Sequence, residues 1–234
     1  MPNLPLLLGH RGARASRSVP ENTLASFDLA LRHGCDGFEF DVRLAGADRA
    51  IVCHDPKVGR VTVSRASRRQ LVHLPSLNDV LQRYAHRAFL NIELKVKGLE
   101  TIVLDALREH QPEREFVVSS FIPDVVMELK ARSGVVNVGI ICEKRSQLAQ
   151  WNKLPVEYVV AHESLIDEDL VQEIQAAGRR ILAWTVNDKR SMVRLAGWGI
   201  DGVISDDTQL LVRTLRPSKV ERVPARYLNH RQRA

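Results

Sequence analysis

Short apolar runs alternate with amphipathic stretches along most of the 234-residue chain. The runs Leu6–Leu8, Phe38–Val42, Ile51–Cys53, Phe89–Leu94, Phe116–Ser119, Val136–Ile141, Tyr158–Val160, Ile181–Trp184 and Gly202–Ile204 are mostly continuous β-branched, leucine or aromatic segments. Such segments suit strands buried on both faces, as in a parallel sheet. Helical stripes lie between them. Leu24, Phe27 and Leu31 share one face, ended by Gly34. Ser76-Leu77-Asn78-Asp79 has capping-box character and opens a stripe of Leu77, Val80, Leu81 and Tyr84. Ile102, Val103, Ala106 and Leu107 form another stripe. Asp167 is placed to cap a helix carrying Leu170, Val171 and Ile174, and Asn187 one carrying Met192, Val193 and Ala196.

Regular βα alternation with short connections predicts an α/β fold, a (β/α)₈ TIM barrel. Nine runs are one too many for eight strands. Ala45-Gly46-Ala47-Asp48 reads as a turn, so Ile51–Cys53 is expected to fold back on the end of the second strand as a hairpin. The expected organisation is one barrel domain over 1–215, with a short insertion at about 56–74 after the second strand, and a basic tail over 216–234. The insertion carries Arg60, Arg65, Arg68 and Arg69 and lacks a strong apolar stripe, so it is expected to lie on the surface near the strand ends.

Composition narrows this further. The length is close to the ~250 residues of a typical barrel of this type, and 44% apolar with 26% charged residues is ordinary for a globular chain. No apolar run reaches the ~18 residues of a membrane span. Met1–Leu8 lacks the basic start of a signal peptide. Cys35, Cys53 and Cys142 are odd in number and widely spaced, which suggests buried thiols in a reducing, cytoplasmic setting. The net charge of +6 resides mostly in the tail, where Arg216, Lys219, Arg222, Arg226, Arg231 and Arg233 face Glu221 alone. The near-neutral remainder argues against a nucleic-acid partner and against stable membrane insertion, and for a small-molecule substrate.

The polar residues fall at strand C-termini, where barrel enzymes build their sites. His10 and Arg11 follow the first run, Glu39 and Asp41 punctuate the second, His54 and Asp55 follow the hairpin strand, and Glu93 and Lys95 interrupt or follow the next run. Glu39 and Asp41 are two apart on a strand and point to one side. Together with Glu93 they would be three buried carboxylates in need of compensating charge. Three oxygen donors suit a hard divalent ion, Mg²⁺ or Ca²⁺. The competing structural reading is a salt-bridge network in which Arg11 and Lys95 neutralise the acids. His10 and His54 suit general acid and base work near neutral pH. Arg11 and Lys95 suit a phosphoryl oxygen. His33, His73, His86, His110 and His230 are read as structural or exposed; for His162, packing in its loop and a site role explain the sequence equally well, and it is left out of the site.

Read in order, several motifs resemble the glycerophosphodiester phosphodiesterase family: His10-Arg11-Gly12, Glu21-Asn22-Thr23, Glu39-Phe40-Asp41-Val42, His54-Asp55, Pro75-Ser76-Leu77, Asn91-Ile92-Glu93-Leu94-Lys95, Ser119-Ser120-Phe121, Trp184-Thr185-Val186-Asn187 and Asp201-Gly202-Val203-Ile204-Ser205-Asp206. The likeness runs from about Leu6 to Leu211. It implies a barrel enzyme that hydrolyses glycerophosphodiesters to an alcohol and sn-glycerol 3-phosphate with a divalent metal. By the same resemblance, Glu39, Asp41 and Glu93 would be metal ligands, and His10 and His54 the acid–base pair. Arg11 and Lys95 would hold phosphate, Phe121 and Trp184 would line the glycerol side, and Glu21 and Asn22 would support the site. The segment between His54 and Pro75 is shorter than in many members, which implies a reduced lid over the head group. Three alternatives remain at this point: lysophospholipase D-like cleavage of lysolipids, a Schiff-base aldolase using Lys95, and a non-catalytic binding barrel.

Overall fold

The computed structural model describes residues 4–216. Eight strands form the barrel: β1 (Leu6–Gly9), β2 (Gly37–Ala45), β3 (Phe89–Leu94), β4 (Phe116–Ser120), β5 (Val138–Cys142), β6 (Tyr158–His162), β7 (Arg180–Trp184) and β8 (Gly202–Ser205). Each is parallel to its neighbours. β1 pairs with both β8 and β2, which closes the sheet on itself. Eight helices follow the strands in turn: α1 (Leu24–Arg32), α2 (Leu77–Tyr84), α3 (Glu100–His110), α4 (Pro123–Arg132), α5 (Arg145–Leu148), α6 (Glu168–Ala176), α7 (Lys189–Gly197) and α8 (Thr208–Leu215). The expected (β/α)₈ barrel is therefore present, with α5 reduced to about one turn. No helix among the described residues is long and apolar enough to cross a membrane.

The ninth run pairs as expected. Arg49–Val52 lies antiparallel on the end of β2, from Val42↔Val52 to Ala45↔Arg49. The fifth strand begins two residues later than the apolar pattern predicts, at Val138 rather than Val136. The proposed cap at Asn187 is displaced by one residue. Asp188 caps α7, its Oδ1 accepting from Ser191 N at 2.9 Å, because Asn187 is engaged elsewhere, as described below. The caps at Ser76 and Asp167 form as the sequence predicts. The tail from 217 onward lies outside the described residues.

Strand parity divides the core in two. One set of alternate residues faces the helices and builds the larger layer, in which Phe27 stacks on Phe38 at 4.2 Å and Tyr84 packs edge-on against Phe38 at 5.0 Å. The other set fills the barrel interior: Leu8, Phe89, Val117, Ile141, Tyr158, Val160, Leu182 and Ile204. Continued upward by two residues, that inward parity reaches His10, Glu143, His162, Trp184 and Asp206, and by four from Val117 it reaches Phe121. The apolar fill thus ends where the polar mouth begins.

Gly37 sits low on this inner face. A Cβ there would lie 1.9 Å from Phe89 O on the adjacent strand, so the β2–β3 contact requires glycine. Gly37→Ala is expected to cost at least the ~1–3 kcal/mol typical of overpacking, read as a fall in chemical-denaturation midpoint. An unchanged midpoint would contradict this packing account.

The insertion departs from its expected character. It holds a two-residue hairpin (Lys57–Val58 with Val61–Thr62) and two 3₁₀ turns. Val63, Ala66 and Leu71 are buried against Ala45, Ile51 and Cys53. The segment therefore has a small core of its own, spaced too irregularly to register as an apolar stripe. All three cysteines are free and buried, in line with the sequence reading.

Candidate active site

The site forms where the loops leave the strands. Ser26 Oγ accepts from Ala13 N at 2.9 Å and Ser26 O from the same N–H at 3.2 Å, pinning the loop after β1. In that loop Arg11 and Gly12 both adopt positive φ, 51° and 83°. A Cβ on Gly12 would fall 2.4 Å from Ser26 Oγ, so the turn needs glycine there. This backbone turns the Arg11 N–H onto Glu39 Oε2 at 2.9 Å. Arg11 holds an uncommon conformation for a non-glycine residue.

Register brings the acids together. β2 and β3 pair with Glu39 opposite Asn91 and Asp41 opposite Glu93, so all three carboxylates face the interior of the barrel mouth. Glu39, Asp41 and Glu93 each offer an oxygen within 4.8 Å of the others, and all three are buried. Asp41 Oδ2 accepts from Asn22 Nδ2 at 2.8 Å and lies 3.2 Å from Arg11 Nε. Lys95 Nζ lies 2.6 Å from Glu93 Oε1 and 3.3 Å from Asp41 Oδ1.

The salt-bridge network of the competing reading is present, but it does not complete the site. Two cations serve three acids, and their contacts lack hydrogen-bond geometry at several atoms. Glu39 Oε1, Asp41 Oδ1 and Glu93 Oε1 are buried without a hydrogen-bond partner, as is Arg11 Nε. Burial, with the neighbouring charges of Asp41 and Glu93, pushes the Glu39 carboxyl well above its ordinary range. Burial and Asp41 push Glu93 up to about 7, against the pull of Lys95. Burial would also raise Asp41, but Lys95, Arg11 and the Asn22 hydrogen bond outweigh it and hold this carboxyl below its ordinary value. Three converging carboxylates, crowded, buried and short of hydrogen-bond donors, are a donor set that fits a hard divalent cation.

The two histidines stand differently. His10 is buried, its Nε2 3.8 Å from Glu39 Oε2. Its Nδ1 lies 2.7 Å from Asp206 Oδ1. Asp206 also accepts from Asn187 Nδ2 at 2.7 Å and from Arg14 Nη1 at 3.2 Å, and its own N–H donates to Asn187 Oδ1. Burial raises the Asp206 carboxyl, but the His10, Asn187 and Arg14 contacts dominate and bring it to about 2. An ionised Asp206 accepts the Nδ1 proton, which leaves His10 Nε2 with the lone pair in the neutral ring. His54 is half-exposed, its Nδ1 2.8 Å from Oδ1 of exposed Asp55.

His10, Arg11, Glu39, His54, Glu93, Lys95, Phe121 and Trp184 line one cavity of about 260 Å³. The two rings meet edge-on at 5.5 Å. Asp41 lies beneath the cavity, 1% exposed. Glu21 and Asn22 border a neighbouring groove that also reaches His54. Glu21 ties Arg11 Nη1 and Arg14 Nε, each at 2.7 Å, and these hydrogen bonds, working against burial, hold its carboxyl low. A larger groove of about 680 Å³ lies away from this chemistry, under the insertion.

Four residues that the sequence reading left out of the site belong to this assembly. Asn91 lines the cavity, its Oδ1 accepting from Ser119 Oγ at 2.7 Å and its buried Nδ2 without a partner. Glu143 lines the cavity on the β5 side. Asp206 and Arg14 complete the contacts around His10. The inward parity of β5 and β8 marks Glu143 and Asp206; Arg14 carries no comparable signal. His162 stays outside the cavity lining, its Nδ1 accepting from Ser164 N at 3.3 Å and its ring edge-on to Trp184 at 5.6 Å. Lys95 argues against the aldolase alternative. Burial works against its charge, but Glu93 and Asp41 outweigh burial and raise its pKa, which disfavours a nucleophilic amine.

The sequence profile of the glycerophosphoryl diester phosphodiesterase family matches residues 10–87 and 82–210. A glycerophosphodiester phosphodiesterase of Caldanaerobacter subterraneus subsp. tengcongensis is 28% identical over 240 residues, spanning 90% of this chain and 98% of its own. The solved structure of an Oleispira antarctica phosphodiesterase, in complex with the product sn-glycerol-3-phosphate, is 27% identical with a TM-score of 0.79. It spans 90% of this chain and 96% of the other. A Thermotoga maritima glycerophosphodiester phosphodiesterase structure, 24% identical, shares the fold with a TM-score of 0.79 over 90% of this chain and 98% of its own. The profile match over nearly the whole barrel shows that this chain belongs to the glycerophosphodiester phosphodiesterase family.

Proposed function

We propose that this enzyme hydrolyses glycerophosphodiesters to an alcohol and sn-glycerol 3-phosphate, using a divalent cation and the pair His10 and His54. The observation that carries this reading is the convergence of the buried carboxylates of Glu39, Asp41 and Glu93 at the cavity that both histidines line, with Glu39 and Glu93 in its wall. The relative that binds sn-glycerol-3-phosphate supports the product assignment.

Glu39, Asp41 and Glu93 would hold the cation, with Mg²⁺ and Ca²⁺ both matching the oxygen donors. When bound, it supplies positive charge that polarises the phosphoryl group and stabilises charge developing there. The chain's own residues then divide the remaining work. Arg11, Lys95 and the free Asn91 Nδ2 are donors for the phosphoryl oxygens. Phe121 and Trp184 give the glycerol end an apolar wall.

In-line displacement puts attack and departure on opposite faces of phosphorus. His10 is buried beside Glu39, with its Nε2 lone pair free, and suits the base that takes a proton from the attacking water as its oxygen bonds to phosphorus. His54 lines both the cavity and the outer groove that carries Lys57, Gly59 and Leu74. That position suits the acid that protonates an alcohol leaving by the groove. Asp206 is a positioning residue that fixes the His10 tautomer.

The assay that tests the activity follows release of the head-group alcohol, choline or ethanolamine, from glycerophosphocholine, glycerophosphoethanolamine and lysophosphatidylcholine, each with added Mg²⁺ or Ca²⁺; sn-glycerol 3-phosphate is the co-product of the first two and an acylated glycerol phosphate that of the third. Release from the first two is expected. Turnover of the lysolipid alone would overturn the substrate class. Asp206→Asn is expected to lower kcat by about 10–100-fold, the usual effect of losing an orienting partner, with the fold intact by circular dichroism. Unchanged kcat would remove Asp206 from the mechanism.

A further inference from the structure

Positions 56–74 carry Lys57, Arg60, Arg65, Arg68 and Arg69 and no acidic residue. All five side chains are exposed. The ion pairs of the described residues pass from Asp55 to Arg83 without including any of them. A loose loop would let such charges spread apart. This one is anchored by Val63, Ala66 and Leu71 packed on the hairpin, so the backbone that carries the cations is fixed.

Arg68 and Arg69 border the groove of about 680 Å³, whose apolar wall includes Ile51, Leu74 and Leu77 and whose edge is Val72, 81% exposed. Arg49 also borders it, but its Nη2 is committed to Ala66 O. Lys57, at the other end of the insertion, lies beside His54 on the outer groove. The groove with Arg68 and Arg69, which also carries the exposed Asp48, shares Leu74 with the outer groove beside His54, so it lies next to that groove and outside the catalytic cavity.

We propose that this face docks on a membrane surface containing anionic phospholipid, with the cations on head-group phosphates and Val72 at the acyl boundary. Clustered cations beside apolar surface are the combination that binds reversibly to such interfaces. A nucleic acid would use the cations but leave the apolar groove unmatched, and positions 56–74 hold no Phe, Tyr or Trp to stack a base. Docking is independent of turnover, so an inactive chain would not count against it.

The test is sedimentation of the full-length chain with vesicles of phosphatidylcholine alone, or phosphatidylcholine mixed with phosphatidylglycerol. Wild type is expected to partition onto the mixed vesicles only. The triple variant Arg65→Gln, Arg68→Gln, Arg69→Gln is expected to bind them on the order of 100-fold more weakly, with its thermal midpoint unchanged. The cations of the tail are present in both proteins and cancel in the comparison. Val72→Asp, which keeps every cation of the segment, is expected to weaken binding too. Equal partitioning of wild type and the triple variant would overturn the proposal. So would equal binding to neutral vesicles, or binding to duplex DNA that exceeds binding to the anionic vesicles.

Discussion

His10→Ala is expected to lower kcat on glycerophosphodiesters by roughly 10²- to 10⁴-fold, the usual worth of a general base. His54→Ala is expected to cost a similar factor on the same substrates. The two variants should separate on a phosphodiester with an acidic phenol as leaving group. A phenolate departs without a proton, so His54→Ala should recover most of the wild-type rate there, whereas His10→Ala should not. The structural basis is the unequal setting of the two rings. His10 is buried and fixed by Asp206, while His54 stands at the rim beside the exposed Asp55. Recovery by His10→Ala instead would exchange the two roles, and near-normal turnover by both variants on every substrate would remove the pair from the mechanism.

Chelation of divalent ions is expected to abolish turnover, with Mg²⁺ or Ca²⁺ restoring it. It should also change how stability depends on pH. In the metal-free protein, Glu93 binds its proton up to about pH 7, against an ordinary value near 4.5, and Glu39 is shifted the same way. The folded state then holds protons that the unfolded chain releases. This contribution is complete below about pH 4.5 and is lost as pH rises through about 7. Asp206, brought down to about 2, acts in the opposite sense, and its stabilisation is lost only as pH falls toward that value.

A cation in place of the protons reverses the trend around Glu39 and Glu93, because its affinity grows as the carboxylates ionise. The increase in thermal midpoint on adding Mg²⁺ or Ca²⁺ is therefore expected to be small at pH 5 and several degrees at pH 8, at about 2–4 °C per kcal/mol for a chain of this size. An increment that is flat or falls with pH would contradict the assignment, as would full turnover in excess chelator.

Much of the barrel was legible because burial on both faces leaves a composition that is hard to mistake. Leu6–Leu8, Phe89–Leu94 and Tyr158–Val160 all became strands. The closed barrel also explains why the acids could be grouped from sequence. Residues two apart on one strand share a face, and the β2–β3 register then brings Glu93 opposite Asp41. The contacts that escaped the sequence are those made at long range or by irregular backbone. Asp206 meets His10 across 196 positions. Asn187 is drawn from helix capping because its side chain bonds Asp206, which leaves Asp188 to cap α7. The small core of the insertion is built from 3₁₀ turns, whose spacing matches neither the helix nor the strand period.

The most direct test is anomalous diffraction from crystals soaked in Mn²⁺, an ion that accepts the same oxygen donors as Mg²⁺ and Ca²⁺. A single strong peak bounded by the carboxylates of Glu39, Asp41 and Glu93 is the expected result, lost in Glu93→Gln. Peaks only elsewhere, or a peak that persists unchanged without Glu93, would contradict the proposed cation site.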